Sequence, residues 1–301
     1  MNQEFEQIKK DFRDINNMNH MEHIQVHAGI ELSFISLSAG DHYVQNKSQE
    51  HIMEINYCKA GRLCWKMTNG NNVYLGPKDF LLHTMRTCAD SIINLPNGFY
   101  EGITIRIDLQ KLTNDPPELL VDSGVTGTLL YEKFCKKGMF TSFAGNEQTE
   151  NIFQYFYNQP SNLRLSYQRL KVFELLLYLC KVDYISGEHL TEYKSKQVET
   201  VRKIHEQLMQ NLNQRFTIEE LSKQYLMNPT TLKTVFKSVY GMSIAAHMKE
   251  HRMNKAAKIL IESDRSIAEI ALLVGYDSQS KFSTAFKNYF HVLPKEYRRN
   301  R

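Results

Sequence analysis

Between Asn228 and Phe290 the chain carries two sets of side chains suited to donating hydrogen bonds to polar edges and anions. Thr230, Thr234 and Lys237 follow one another at intervals of four and three, and Ser280, Thr284 and Lys287 repeat the pattern 50 residues later. Lys233 and Ser238 flank the first set, and Gln279, Lys281 and Ser283 the second. Residues three and four apart share one face of a helix. Hydroxyls and an amide suit base edges in a major groove, and ammonium groups suit phosphates. One such face alone would read as the solvated side of an ordinary bundle helix. Two faces in the same register make nucleic acid the leading partner.

The elements that position these groups are also repeated. Thr217-Ile218-Glu219-Glu220-Leu221 returns as Ser266-Ile267-Ala268-Glu269-Ile270, and Leu232-x-x-x-Phe236-Lys237 returns as Phe282-x-x-x-Phe286-Lys287. Thr217 with Glu220, and Ser266 with Glu269, have the spacing of a capping box, which marks the start of a short helix. Asn228-Pro229 opens the next helix with a good cap and a proline at the first helical position. Ser278 is the equivalent cap in the second copy. Gly275 suits the turn of that copy, and Gly241 suits the position after the first copy's second helix. Leu232, Val235, Phe236 and Val239 form one apolar stripe, and Phe282, Ala285, Phe286 and Tyr289 another. The spacing predicts paired helix-turn-helix motifs over residues 217–241 and 266–290. Ile244 to Glu262 reads as one helix, with Ile244, Met248, Ala256, Ile259 and Leu260 apolar and Lys249, Arg252, Lys255 and Lys258 basic. Its length of roughly 28 Å fits reading helices set into successive grooves about 34 Å apart.

The stretch from Thr217 to Arg299 resembles the DNA-binding domain of the AraC/XylS transcriptional regulators. The resemblance rests on Arg252-x-x-x-Ala256-x-x-x-Leu260, Ile267-x-Glu269-Ile270-Ala271, Val274-Gly275-Tyr276, Ser280-x-Phe282-x-x-x-Phe286-Lys287 and Pro294-x-x-Tyr297-Arg298. It implies that Thr230, Lys233, Thr234 and Lys237 face one major groove of double-stranded DNA, and Gln279, Ser280, Ser283 and Thr284 the adjacent one. Lys287 joins the second set as a phosphate anchor. Three positions depart from the family pattern: His291 replaces the usual Gly, Leu293 the usual Thr, and Lys281 is unusual. Neither reading helix carries Arg. Thr231-Leu232-Lys233 and Arg252-Met253 look most like the siderophore-responsive branch.

Charge follows the same division. Residues 191–301 hold 19 Lys and Arg against 11 Asp and Glu, leaving 18 against 22 of the chain totals of 37 and 33 for residues 1–190. A basic half joined to an acidic half suits a nucleic-acid-binding domain linked to one with another task. Cys58, Cys64, Cys88, Cys135 and Cys180 are scattered without a C-x-x-C pair and read as reduced thiols of a cytoplasmic protein. The polar first 23 residues are not a signal peptide, and no run of eighteen apolar residues predicts a membrane span.

From about Gly29 to Leu109 the texture is short, alternating apolar runs. Strands are expected at Leu32–Ile35, Ile52–Cys58, Leu63–Met67, Asn72–Leu75, Phe80–Thr84, Ile92–Ile93 and Tyr100–Ile107. Gly61, Asn69-Gly70, Gly76-Pro77 and Asn97-Gly98 punctuate them. A small antiparallel barrel or sandwich follows. Glu54 to Trp65, followed by Leu75-Gly76-Pro77-x-Asp79, resembles the cupin-like sensor domain of the same regulators. His51 and Glu54, three apart in a strand, should point to opposite faces and not share a metal. His51 and His83 are therefore read as structural or surface residues. No phosphate loop, nucleophile elbow or carboxylate pair suggests catalysis. Leu63, Trp65 and Met67 alternate onto one face. Trp65 is a candidate pocket wall with Tyr57 beside it, and plain core is the alternative.

Helices are expected at Glu147–Asn158, Leu163–Ile185 and Gln197–Leu212, the second apolar nearly all round and so buried. In the family, helices of this region form the dimer contact. Ser186-Gly187-Glu188-His189 reads as the interdomain joint. The expected architecture is α+β: an N-terminal cupin-like antiparallel β-barrel (residues 1–110), a helical dimerisation region (111–190) and an all-α DNA-binding domain (191–301). The expected function is a non-enzymatic, cofactor-free transcription regulator controlled by a small-molecule effector. A homodimer is expected, with RNA polymerase as a further candidate partner. The alternatives are a ligand-independent regulator whose barrel only dimerises, and a metal-dependent cupin enzyme with an appended DNA-binding domain.

Overall fold

A computed structural model describes residues 18–38, 42–44, 49–89, 91–157, 159–182 and 192–299. The chain divides into two compact units at Lys194 and Ser195. The joint expected at Ser186–His189 lies outside the described residues.

The first unit is built on strands β1 (Met18–His27), β2 (Ile30–Ser38), β3 (His42–Val44), β4 (Ile52–Gly61), β5 (Leu63–Lys66), β6 (Asn71–Leu75), β7 (Phe80–Thr84), β8 (Ser91–Asn94), β9 (Phe99–Asp108), β10 (Thr141–Phe143) and β11 (Glu192–Lys194). Every recorded pairing is antiparallel. Among the described residues they form two sheets, ordered β1-β2-β9-β4-β7-β10 and β11-β6-β5-β8-β3. Of the antiparallel barrel or sandwich expected, the antiparallel sheets are present, and the hydrogen bonds among the described residues do not close them into a barrel. Chain passes between them at Gly61, whose φ of 76° turns β4 of one sheet into β5 of the other. A Cβ there would meet the Phe99 carbonyl oxygen at 2.3 Å, so only glycine fits the corner.

All the strands read from the pattern are present. Four others escaped it. β1 is rich in His, Gln and Glu, and β3, β10 and β11 are three residues each, too short to show a period. β10 and β11 also bring residues from beyond position 110 into the sheets.

The pleat of the six-stranded sheet sorts its side chains into two cores. Met53, Ile55, Tyr57, Phe80, Leu82, Ile103, Ile105 and Ile107 project to one side and pack with helical residues Phe153, Phe156, Val172, Leu175, Leu176 and Leu179. Ile35, Leu37, Cys58, Leu81, Met85 and Tyr100 project to the other and pack with Leu63, Trp65, Val73, Leu75 and Ile93 of the second sheet. Both faces are covered, so β4 and β9 are buried along most of their length, yet their sequences alternate: apolar residues face the helical side, and Glu54, Asn56, Thr104 and Arg106 face the other.

The helices of this unit are α1 (Leu109–Asn114), α2 (Gly127–Leu130, continued as one π-turn to Cys135), α3 (Glu147–Phe153) and α4 (Arg164–Lys181). The all-round burial expected for the last of these is not found. Val172, Leu175, Leu176 and Leu179 are buried on one side. Leu163, just before the helix, and Leu165, Leu170 and Leu177 within it are 40–52 % exposed.

The second unit comprises α5 (Ser195–Gln210), α6 (Ile218–Gln224), α7 (Pro229–Tyr240), α8 (Ile244–Glu262), α9 (Ile267–Leu273), α10 (Gln279–Phe290) and α11 (Pro294–Arg299). Both capping boxes form as the spacing required. Thr217 N–H donates to Glu220 at 2.8 Å and Glu220 N–H to the Thr217 hydroxyl at 3.2 Å; Ser266 and Glu269 repeat both distances. Asn228 caps α7 by accepting from Thr230 N–H at 2.9 Å. These caps meet the orphan donors of each first turn and so fix where each helix starts.

Candidate nucleic-acid interface and a buried polar array

Helix α7 buries Leu232, Val235, Phe236 and Val239. Thr230, Lys233, Thr234 and Lys237 are thereby left exposed. Helix α10 buries Phe282 and Phe286, leaving Gln279, Ser280, Thr284 and Lys287 exposed and Ser283 half-buried. The nine side chains read from the sequence thus lie on the uncovered faces of two helices.

Several residues of the family-like motifs prove to be positioning groups. Arg252 on α8 donates from Nε to the Leu212 carbonyl at 2.7 Å and from a terminal nitrogen to the Gln214 carbonyl at 2.6 Å. These two carbonyls belong to the turn just beyond α5. Gly275, in the α9–α10 turn, approaches the same place: a Cβ there would meet the carbonyl oxygens of Asn213 at 2.9 Å and Leu212 at 3.0 Å. The linking helix and the second copy's turn therefore converge on the end of α5, which ties the two motifs together. Tyr297 packs its ring on Phe286 and Phe290 at 5.4 and 5.1 Å, and Arg298 donates to the Arg265 carbonyl at 2.6 Å.

Three imidazoles meet on the other copy's side of α8. His247 and His251, one turn apart, lie with ring centroids 4.5 Å apart, and His205 of α5 lies 5.0 Å from His247. His205 also stacks on Tyr240, at 4.3 Å and 19°. Burial first, then the His251 charge, pushes His205 down to about 4 and His247 down to about 3, with His205 adding to the effect on His247. The i, i+4 pair is legible in the sequence; the third ring, over forty residues away, is not.

In the first unit the structure assembles something that no local pattern announced. Cross-strand register places Gln25, Glu31, Arg106, Glu54 and His83 in one row across β1, β2, β9, β4 and β7. The next row holds His23, Ser33, Thr104 and Asn56. By pleat parity both rows face the space between the sheets. Glu31, Ser33, Glu54, Asn56, His83, Thr104 and Arg106 are all buried. Arg106 Nε donates to Glu54 Oε1 at 2.6 Å. His83 donates from Nδ1 to the Thr84 carbonyl at 2.9 Å, which leaves Nε2 to accept from the Asn56 amide at 3.1 Å. Thr104 donates to Asn56 Oδ1 at 2.7 Å. Burial opposes ionisation of Glu54, but the charge of Arg106 and its hydrogen bond outweigh it and hold the carboxyl below its usual range. Burial holds His83 neutral against the pull of that carboxylate.

His83, expected as a structural or surface residue, is fully buried and within 3.5 Å of Glu54. Cys88 is close enough to complete a group of three metal-ligand types with them. Trp65 lies 6.0 Å from the His83 ring, and both pack on Phe140. The expected pairing of Trp65 with Tyr57 does not occur. Odd-numbered positions of β4 point to the helical side, so Tyr57 stacks on Phe153 at 3.9 Å, away from the inter-sheet space. His51 lines a different feature, a cleft of about 680 Å³ bordered by Glu50, Gln110, Thr113 and Tyr131.

Among the described residues no helix is long and apolar enough to cross a membrane.

A helix-turn-helix domain model matches residues 221–300. The TetD protein of transposon Tn10 from Escherichia coli is 31% identical over 112 residues, 36% of this chain and 81% of that protein. The HTH-type transcriptional regulator AlkR of Acinetobacter baylyi is 28% identical over 142 residues, 45% of this chain and 46% of that protein. The chain thus spans under half of AlkR and most of TetD. Among solved structures, the C-terminal domain of AraT, a response regulator from Geobacillus stearothermophilus, is 36% identical. It covers 34% of this chain and 85% of its own, with a TM-score of 0.33. Two capped helix-turn-helix copies on one linking helix, together with the helix-turn-helix domain match and the likeness to TetD, show that the chain belongs to the AraC/XylS family of helix-turn-helix transcriptional regulators.

Proposed function

We propose that this protein is a sequence-specific regulator of transcription that sets α7 and α10 into successive major grooves of one DNA duplex. The observation that carries this reading is the repeated exposed set of hydroxyls, amide and lysines on two helices joined by one nineteen-residue rod. Thr230, Lys233, Thr234 and Lys237 address one groove, and Gln279, Ser280, Ser283, Thr284 and Lys287 the next. Lysines anchor to phosphate, while Thr234 and Gln279 read bases. Neither helix contains Arg, so the forked guanine contact is missing from both faces. Hydroxyl-radical footprinting of the full chain on fragments selected for binding tests this. Two protected tracts about one helical turn apart are expected. A lone tract, or none, would overturn the reading.

The N-terminal residues 1–110 serve as the sensor and 111–190 as the dimer contact, with 191–301 reading DNA. The two buried polar rows facing Trp65 support a small polar effector held between the sheets. Such an effector acts only through unequal affinity for two states of the chain. Trp65 is the only tryptophan and lies beside the rows, so its fluorescence reports occupancy. A compound that shifts Trp65 emission should also shift DNA affinity. Occupancy with unaltered DNA affinity would favour the ligand-independent alternative. Arg252 and Met253, which resemble the siderophore-responsive branch, act here as a tether and a core residue. They therefore carry no effector identity. The Glu54–His83 pair is engaged by Arg106 and Asn56, which supports a structural role over a metal-dependent enzyme.

For the dimer, the supporting observation is spacing. Leu163, Leu170 and Leu177 recur every seven residues and are exposed, the stripe a second copy would cover. A monomer by light scattering at high concentration, with and without DNA, removes that part of the proposal.

A further inference from the structure

The DNA-reading unit holds a cluster of side chains that contact with DNA does not require. His205 of α5 and His247 and His251 of α8 each present a ring nitrogen, and these three nitrogens lie within 4.8 Å of one another. We propose that His205, His247 and His251 form a site for one divalent transition-metal ion of the zinc class, which clamps α5 to α8.

Three observations support the site independently of the family's known properties. The first is ligand type and number: three imidazoles are a complete protein set for an open tetrahedral site, leaving the fourth position for water or an outside ligand. The second is geometry. Nitrogens bound at about 2.0–2.1 Å in a tetrahedron stand roughly 3.3 Å apart. The rings need to close by ~1.5 Å at most, which rotation about their side-chain bonds provides. His247 and His251 sit at i and i+4, the spacing that brings two helical imidazoles onto one face. The third is an orphan. His247 is buried at 6 % exposure, and its Nε2 has no hydrogen-bond partner. A buried ring nitrogen without a partner is costly, and a metal would satisfy it. The rings of Phe236 and Tyr240 border the cluster and supply an apolar surround.

The location gives the ion a consequence. Arg252, next to His251, already ties α8 to the residues after α5. A metal one turn earlier would brace the same junction and stiffen the support of α7. Binding to the folded chain alone then raises its apparent stability.

The test uses the full chain without an added polyhistidine tag. Zn²⁺ is titrated against a chromogenic chelator, and Co²⁺ is used for its visible spectrum. We expect one equivalent of Zn²⁺ bound with sub-micromolar affinity, the d–d bands of four-coordinate Co²⁺, and a raised melting temperature. His205→Gln and His251→Gln, both at half-buried positions, should each weaken binding at least tenfold and abolish the thermal shift. Histidine-selective ¹⁵N spectra of the unsubstituted chain should show Zn²⁺ moving three imidazoles and leaving the others. That measurement does not depend on any variant folding. Failure to bind one equivalent, unchanged affinity in both variants, or shifts of His83 in place of these three would each overturn the proposal. None of these outcomes bears on DNA reading, which footprinting tests separately.

Discussion

The two helix-turn-helix copies follow one backbone plan with different residues at its hardest points. Each copy needs a left-handed residue in its turn and another after its reading helix. In the first copy these are Leu226 (φ 50°) and Gly241 (φ 84°); in the second they are Gly275 (φ 80°) and His291 (φ 63°). Glycine adopts this region freely, whereas other L-residues incur about 1–2 kcal/mol. Each copy therefore spends strain at one position and avoids it at the other. Two residues further on the copies differ again. Ser243 caps α8 through its hydroxyl, but Leu293 stands at the same point before α11 and has no hydroxyl. There the backbone N–H of Leu293 donates to Glu296 at 2.9 Å, the half of a capping box that needs no hydroxyl. The capping boxes, by contrast, match in geometry, and the exposed faces keep Thr230 with Ser280, Thr234 with Thr284 and Lys237 with Lys287, though Lys233 corresponds to Ser283 and Gln279 to Pro229. The lesson is that exposed chemistry and helix starts are duplicated closely, while strain is distributed to suit the neighbours of each copy.

The turn positions offer the sharpest way to break this comparison. Gly275→Ala adds a Cβ against two carbonyl oxygens near 3.0 Å and forces a left-handed alanine. We expect a loss of about 2–3 kcal/mol in thermal or urea unfolding of the full chain. Leu226→Ala, at a side chain 94 % exposed, should change stability by less than about 0.5 kcal/mol. Equal losses at the two sites would show that the turns are not differently buried.

The reading faces come next in size. Thr234→Ala and Gln279→Ala should each cost about 1–3 kcal/mol at particular base pairs. Lys237→Ala and Lys287→Ala should weaken binding to all sequences and lower the salt slope by about 1 each. Competition binding at several salt concentrations separates the two behaviours. If all four variants lose equally on specific and random DNA, the division into readers and anchors is wrong.

A third comparison concerns the capping boxes. Thr217→Ala and Ser266→Ala should cost about 1 kcal/mol each, because the two boxes have the same hydrogen-bond lengths. Unequal costs would show that the copies differ below their matching geometry. The remaining expected effects are gains. His291→Gly and Leu226→Gly should each stabilise by roughly 0.5 kcal/mol, with relief of strain offset in part by the freer unfolded chain. Leu293→Thr should add about 1 kcal/mol by restoring the missing half of its cap. A loss on Leu226→Gly would instead reveal a contact made by that exposed leucine.

Local chemistry alone determined the helices of the DNA-reading unit, their caps and their exposed faces. Thr217 with Glu220, Asn228 with Pro229, and the 3.6-residue apolar stripes act within one or two turns, so they are visible in a linear string. The central strands were legible for the same reason, from alternation and Asn-Gly turns. What only the tertiary structure decided are contacts between residues far apart in the chain. The Gln25–Glu31–Arg106–Glu54–His83 row exists because five strands align in one register, and register is a property of pairs of strands. The separation of Tyr57 from Trp65 depends on which face each strand presents to which core. The joining of His205 to His247 and His251 depends on how two helices pack, a distance that neither helix encodes by itself.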